Sequence, residues 1–374
     1  MRIARLTPSL VLLTALAATA TPGPLRGQDT TAAAGPKHMT MEEALLLPSW
    51  GGYRLSPDDS RIVFTKRVTD PETWEDVSHV WVHDLDTGRS FQLTNSARGE
   101  SSPRWLSDDE ILFTSRRGEG DDAENRLWVI SLDGGEARAF LEDEEAPSNG
   151  SFTEDHSKMA YTEESDRPDE EEWEARKKKK DDAYYAEKKL TYDHIWVYDV
   201  ETGEKTQITD DDFDDNGPEW SPDGQWIAFT SNRTGTQMGD RNRSDNSDIW
   251  VVSASGGEPR QLSTSPGPDR GPAWSPDGTR LAWTGSLEEN SGASQSDVWV
   301  APVNGGAPRN LTEELDLSVS GVEWSADGGS LYFSVADGLT SHLYRIAAEG
   351  GEPESVLPDD EFVYGGASLS DDRT

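Results

Sequence analysis

"EWSPDGQWIAFTSNR" (Glu219–Arg233) is followed fifty-four residues later by "AWSPDGTRLAWTGS" (Ala273–Ser286). Each stretch joins a tryptophan, a tight polar turn and a run rich in β-branched and aromatic side chains. Ser-Pro-Asp-Gly is turn chemistry: Pro222 presets φ, Asp223 can bond nearby backbone, and Gly224 tolerates positive φ. "QWIAFTS" then reads as a strand, "DIWVVSAS" as a third, and "PRQLS", after the turn at Gly256-Gly257, as a fourth.

The unit recurs along the chain. The residue before each polar turn is Leu55, Trp105, Phe152, Trp220, Trp274, Trp324 and Leu369, in steps of 50, 47, 68, 54, 50 and 45. A second marker, the aromatic of the "DIWV" motif, falls at Trp81, Trp128, Trp196, Trp250, Trp299 and Tyr344 and keeps the same uneven rhythm. Four short strands per unit of this length are the signature of a β-propeller blade. The expected fold is therefore all-β, a propeller with six complete blades at about 50–95, 101–141, 148–209, 216–263, 270–312 and 320–357. "YGGASLSDDRT" reads as the start of a seventh, truncated blade, so the propeller is expected over 50–374. The large aromatic before each turn is expected to pack between blades.

Composition narrows the partners. Against 34 Lys+Arg stand 72 Asp+Glu, a formal charge of −38, which repels phosphate backbones and excludes nucleic acid as an expected partner. The 14 Trp argue against a disordered acidic chain. The N-terminus pairs Arg2 and Arg5 with the apolar "SLVLLTALAATA" (Ser9–Ala20), too short to span a bilayer. Residues 1–27 are expected to be a signal peptide and 28–49 a lead-in, giving a secreted or periplasmic protein with no membrane contact after cleavage. The chain has no cysteine, which removes disulfides, thiolate metal ligation and a thiol nucleophile.

The 68-residue step places an insertion, residues 163–193, between the second and third strands of blade three. Glu172–Arg176 and Glu174–Lys178 suit an exposed helix there; the segment reads either as a solvated arm or as an arm touching a second domain, subunit or substrate. The acidic loop 210–216 raises a calcium question, because Asp212, Asp214, Asn216, Gly217 and Asp223 match much of a calcium-loop pattern. Against it, Pro218–Pro222 reads as a first strand that would carry Asp223 away. His79 and His83 flank Trp81 about 13 Å apart on one strand, too far to share a metal. His38, His156, His194 and His342 are scattered. The residues thus assign no catalytic, cofactor-binding or metal site, and no cofactor.

The motifs at Trp220–Ser231, Asp248–Ser263, Trp274–Thr284 and Asp297–Thr312 resemble the repeat of the prolyl oligopeptidase family of serine peptidases, including its acylaminoacyl-peptidase and dipeptidyl-peptidase relatives. They are also similar to the periplasmic propeller of the Tol system. The short lead-in "MTMEEALLLPSWGGYRLSPDDSRIVFTKR" (Met39–Arg67) and the charged insertion before "HIWVYDVETGEKTQIT" (His194–Thr209) favour the peptidases. That resemblance implies a substrate-gating propeller whose partners are peptide substrates and its own C-terminal α/β-hydrolase domain, which carries the serine nucleophile in a Gly-x-Ser-x-Gly elbow. No such elbow occurs in this chain; the nearest match, "GASLS" from Gly366, ends in Ser370. The chain alone is expected to be inactive. The alternatives are a stand-alone periplasmic protein-binding propeller, and a propeller joined to another hydrolase such as a metal-dependent amidohydrolase.

Overall fold

The computed structural model describes Thr40 and residues 45–117, 124–141, 147, 150–166, 175, 178–179, 191–233, 246–287, 295–337 and 340–356. The seventh-blade segment, the expected signal peptide and the insertion's Glu172–Arg176 and Glu174–Lys178 pairs lie outside them.

Six four-stranded antiparallel sheets follow one another along the chain, and each runs first strand to fourth without a crossover. Their first strands are Ser49–Leu55, Glu100–Trp105, Ser151–Phe152, Asp215–Trp220, Asp269–Trp274 and Val319–Trp324. The expected six-bladed propeller is therefore present. Blade four's first strand begins at Asp215 and ends at Trp220, earlier than the expected Pro218–Pro222. Ser221 and Pro222 belong to the turn, because the Ser221 hydroxyl bonds the Asp223 carboxylate at 2.6 Å and accepts from Trp226 N at 2.9 Å.

The hairpin turn repeats as chemistry, with substitutions that keep the bonds. A hydroxyl one residue past the strand bonds an Asp two residues on in Ser56–Asp58, Thr153–Asp155, Ser221–Asp223, Ser275–Asp277 and Ser325–Asp327, at 2.6–2.7 Å. Bonds from Ser275 first, and then from the Thr279 N–H and hydroxyl, hold the Asp277 carboxyl down at about 2. Gly224 and Gly278 sit at φ +65° and +67°, the region where L residues are disfavoured.

Burial follows the two-residue period of a strand only up to a bulge. Asp215–Trp220 is buried at Asp215, Pro218 and Trp220 and exposed at Asn216, Gly217 and Glu219. The register slips between Asn216 and Glu219, and Gly217 takes φ +61°. The same slip recurs in the first strands of blades one, two, five and six. In blade two Ser102 takes the left-handed position at φ +52°.

Five core clusters each sit between adjacent blades. Ala160, Ile195 and Val197 of blade three, for instance, pack on Trp220, Ile227 and Phe229 of blade four. None joins blade six to blade one among the described residues. The position that is 0–4% exposed as Glu100, Asp215, Asp269 and Val319 is 46% exposed as Trp50 of blade one.

The tryptophan before the turn does more than fill space. Its indole N–H crosses to the preceding blade: Trp105 to Arg54 O, Trp220 to Ser151 O, Trp274 to Glu219 O and Trp324 to Ala273 O, all at 3.0–3.1 Å. The acceptor each time is the residue just before the equivalent position one blade back. Phe152 has no N–H, and at that joint Arg104 reaches forward instead, donating to Gly150 O at 3.0 Å and lying over the Phe152 ring. Trp324 is 1% exposed. Trp324→Phe should lower unfolding free energy by about 1–3 kcal/mol and Trp324→Ala by about 3–5 kcal/mol, read as shifts in the urea midpoint. A Trp324→Phe variant as stable as wild type would show that the indole bond contributes nothing.

Candidate functional site

The first strands converge on a cavity of about 950 Å³ lined by blades one to four. Because each indole bond ties a blade to the residue before its neighbour's turn, those residues line up around the wall. Arg54, Arg104, Ser151 and Glu219 line the cavity; Ala273 and Glu323 are their equivalents in blades five and six. The alignment is visible in contacts: Ser151 donates its hydroxyl to Glu219 at 2.9 Å.

The wall is electrostatically uneven. Burial lowers the Arg104 proton affinity first, the neighbouring Arg54 charge lowers it further, and Glu219 opposes both. Glu219 is open to cavity solvent but ringed by protein, and burial raises its carboxyl against the Ser151 bond and the Arg104 charge. Tyr161 lines the same space; burial, then the Glu163 charge, pushes its phenol above the usual range.

A second polar layer lies inside the joints. His79 Nδ1 of blade one meets the buried Glu100 carboxylate of blade two at 2.9 Å, with the Thr94 hydroxyl donating at 2.5 Å. Burial raises the Glu100 carboxyl, but Ser96, Thr94 and His79 outweigh it and the net shift is downward. In blade four the buried Asp215 pairs with Arg233 at 2.7 Å, and Arg233 also binds Asp211. The Thr or Ser closing each "QLT"-type motif accepts a third-strand N–H: Val80 to Thr94, Ile195 to Thr209, Ile249 to Ser263 and Val298 to Thr312.

Asp248 of blade four and Asp269 of blade five are both fully buried. Burial, then the Asp269 charge, pushes the Asp248 carboxyl up to about 7, while Gln261 donates to it at 3.1 Å. Unfolded Asp titrates near 3.9, so between about pH 4 and 7 the folded protein holds the extra proton and loses stability as pH rises. Asp248→Asn should flatten that decline and raise the melting temperature at pH 8 above wild type. An unchanged pH–stability profile would remove Asp248 as its source.

The residues of the calcium pattern are separated. Asp223 caps its own turn, whereas Asp214 accepts from Asn232 and from Asp193 N at the strand's other end. The described residues contain no group of three or more His, Asp or Glu able to hold a metal. His79 and His83 bond different partners, Glu100 and Ser90. His156 lies tilted against the Phe152 ring, centroids 5.8 Å apart, and burial, then Arg104, lowers its proton affinity. The motif "GASLS" lies outside the described residues. The joint acids escaped the sequence reading although alignment on the turn tryptophan carried them: Glu100, Asp215 and Asp269 all stand five residues before it.

The fold is a six-bladed propeller, and comparison with known proteins finds named peptidases among the chain's relatives. No family model matches the chain. It is 28% identical over 215 residues to the uncharacterized peptidase YuxL of Bacillus subtilis, covering 54% of this chain and 32% of that protein. It is 26% identical over 139 residues to dipeptidyl-peptidase 5 of Porphyromonas gingivalis, covering 37% of this chain and 20% of that one. The chain thus spans a third or less of these relatives. Among solved structures, the Pyrococcus horikoshii acylaminoacyl peptidase aligns with TM-score 0.59 and 15% identity over 85% of this chain and 47% of that one. The propeller domain of the trilobed protease of Pyrococcus furiosus gives TM-score 0.54 and 14% identity over 83% of each. An oligogalacturonate lyase gives TM-score 0.57 at 19% identity, so the ring by itself does not select a chemistry. No helix among the described residues is long and apolar enough to cross a membrane.

Proposed function

We propose that this chain is the substrate-gating propeller of an exported serine peptidase of the prolyl oligopeptidase type. The observation that carries the reading is the conjunction of a cavity lined largely by polar residues with relatives that are peptidases by name. A cavity of about 950 Å³ is of the size that takes a small ligand or a stretch of peptide. Hydrolysis would proceed by acyl transfer on an α/β-hydrolase domain in the same protein, with the ring controlling what reaches the serine. The N-terminal charge and apolar pattern supports export to the periplasm or beyond.

The test is to read the coding frame beyond Thr374 and to treat the full-length product with a fluorophosphonate serine probe. The expected result is a frame entering a Gly-x-Ser-x-Gly elbow with later Asp and His, and covalent labelling abolished by Ser→Ala at that elbow. A frame that stops after one further blade, with no labelling, overturns the peptidase reading in favour of a stand-alone binding propeller.

A further inference from the structure

In a chain of net charge −38, the cavity wall is an exception: Arg54, Arg104 and Glu219 are the charged residues lining it, two cations against one carboxylate. The cations stand on adjacent blades at equivalent positions. Trp105, next to Arg104, donates its indole N–H to Arg54 O at 3.0 Å, so the joint itself sets the two arginines side by side. Neither forms an ion pair with a carboxylate among the described residues. The Arg54 guanidinium donates to the neighbouring Tyr53 carbonyl at 2.9 Å. Arg104 spends one N–H on Gly150 O and lies over the Phe152 ring, leaving further donors of its fork. Glu219 faces them from blade four with its carboxylate taken by Ser151.

Two adjacent cations that outnumber the single carboxylate facing them, neither in ion-pair contact with it, in a cavity of ligand size, describe an anion site. Glu219 limits the charge it can take: the lining sums to a single positive charge, which suits a monoanion better than a phosphate dianion. We infer that Arg54 and Arg104 form a carboxylate-binding site in the channel that takes the free carboxylate of a peptide. Guanidinium forks match carboxylates two bonds at a time, so such a site would orient a peptide carboxylate-first toward blades one and two. This inference rests on the reading that peptides enter the channel.

The experiment is calorimetric titration of the full chain with N-acetyl-trialanine, its C-terminal amide, and N-acetyl-Ala-Glu-Ala amide, with inorganic phosphate as a control. Wild type should bind the acid about tenfold or more tighter than the amide, and Arg54→Gln should abolish the difference. Arg54 is the residue to change because its side chain makes no inter-blade hydrogen bond among the described residues. Arg54→Lys should restore part of the preference. Binding of the Glu peptide amide as tight as the acid supports the site with an acidic side chain as its source. Acid and amide binding equally, with Arg54→Gln changing neither, overturns the site and leaves the gating reading standing. Failure of every peptide to bind overturns both, and phosphate binding tighter than carboxylate overturns the carboxylate assignment.

Discussion

One hydrogen bond organises this ring: the indole N–H that ends a blade's first strand and reaches a carbonyl of the blade before it. A propeller blade cannot bury its faces alone, so the joints must supply both apolar contact and register. A large ring supplies the first and a single directed N–H the second. Leu or Phe could fill the same gap, but neither can specify which carbonyl lies opposite. Where Phe152 replaces tryptophan, Arg104 takes over the bridging from the other side. The register role is kept while the donor changes.

The same joints explain how so acidic a chain folds at all. Self-repulsion at −38 opposes compaction, yet several acids are placed inside the ring. Each buried one is handled by a different device: His79 and hydroxyls at Glu100, a guanidinium at Asp215, an amide and a hydroxyl at Asp297. Asp248 and Asp269 have no cation paired with them among the described residues; burial raises both, and the Asp269 charge raises Asp248 further. Buried carboxylates without a counter-charge retain a proton rather than a charge.

Most of the ring was legible in the sequence because its two strongest signals are local. Turn chemistry at Ser221–Gly224 and the "DIWV" spacing each depend on residues a few positions apart, and both recur. The strand start at Asp215 was misjudged because a bulge at Gly217 breaks the alternation, so a polar "DDNG" opening looks like loop. The indole bond and the pairing of Arg54 with Arg104 were not legible. They join residues about fifty apart, and only the angle between blades brings them together. Nothing in the pattern around Arg54 distinguishes a channel-facing arginine from an ordinary exposed one. Chemistry beyond the ring rests on family resemblance and not on any residue in this chain.

The directed bond has a further consequence. Each indole points backward along the chain, spanning 51, 69, 55 and 51 residues at the four joints where it occurs. Every such contact therefore involves a blade already present when its successor arrives. A polypeptide emerging from its N-terminus can lock each new sheet onto the last without waiting for distant sequence, so the loop-closure cost at a joint is the same early and late in synthesis. Growth is polar, like laying bricks each keyed to the one before.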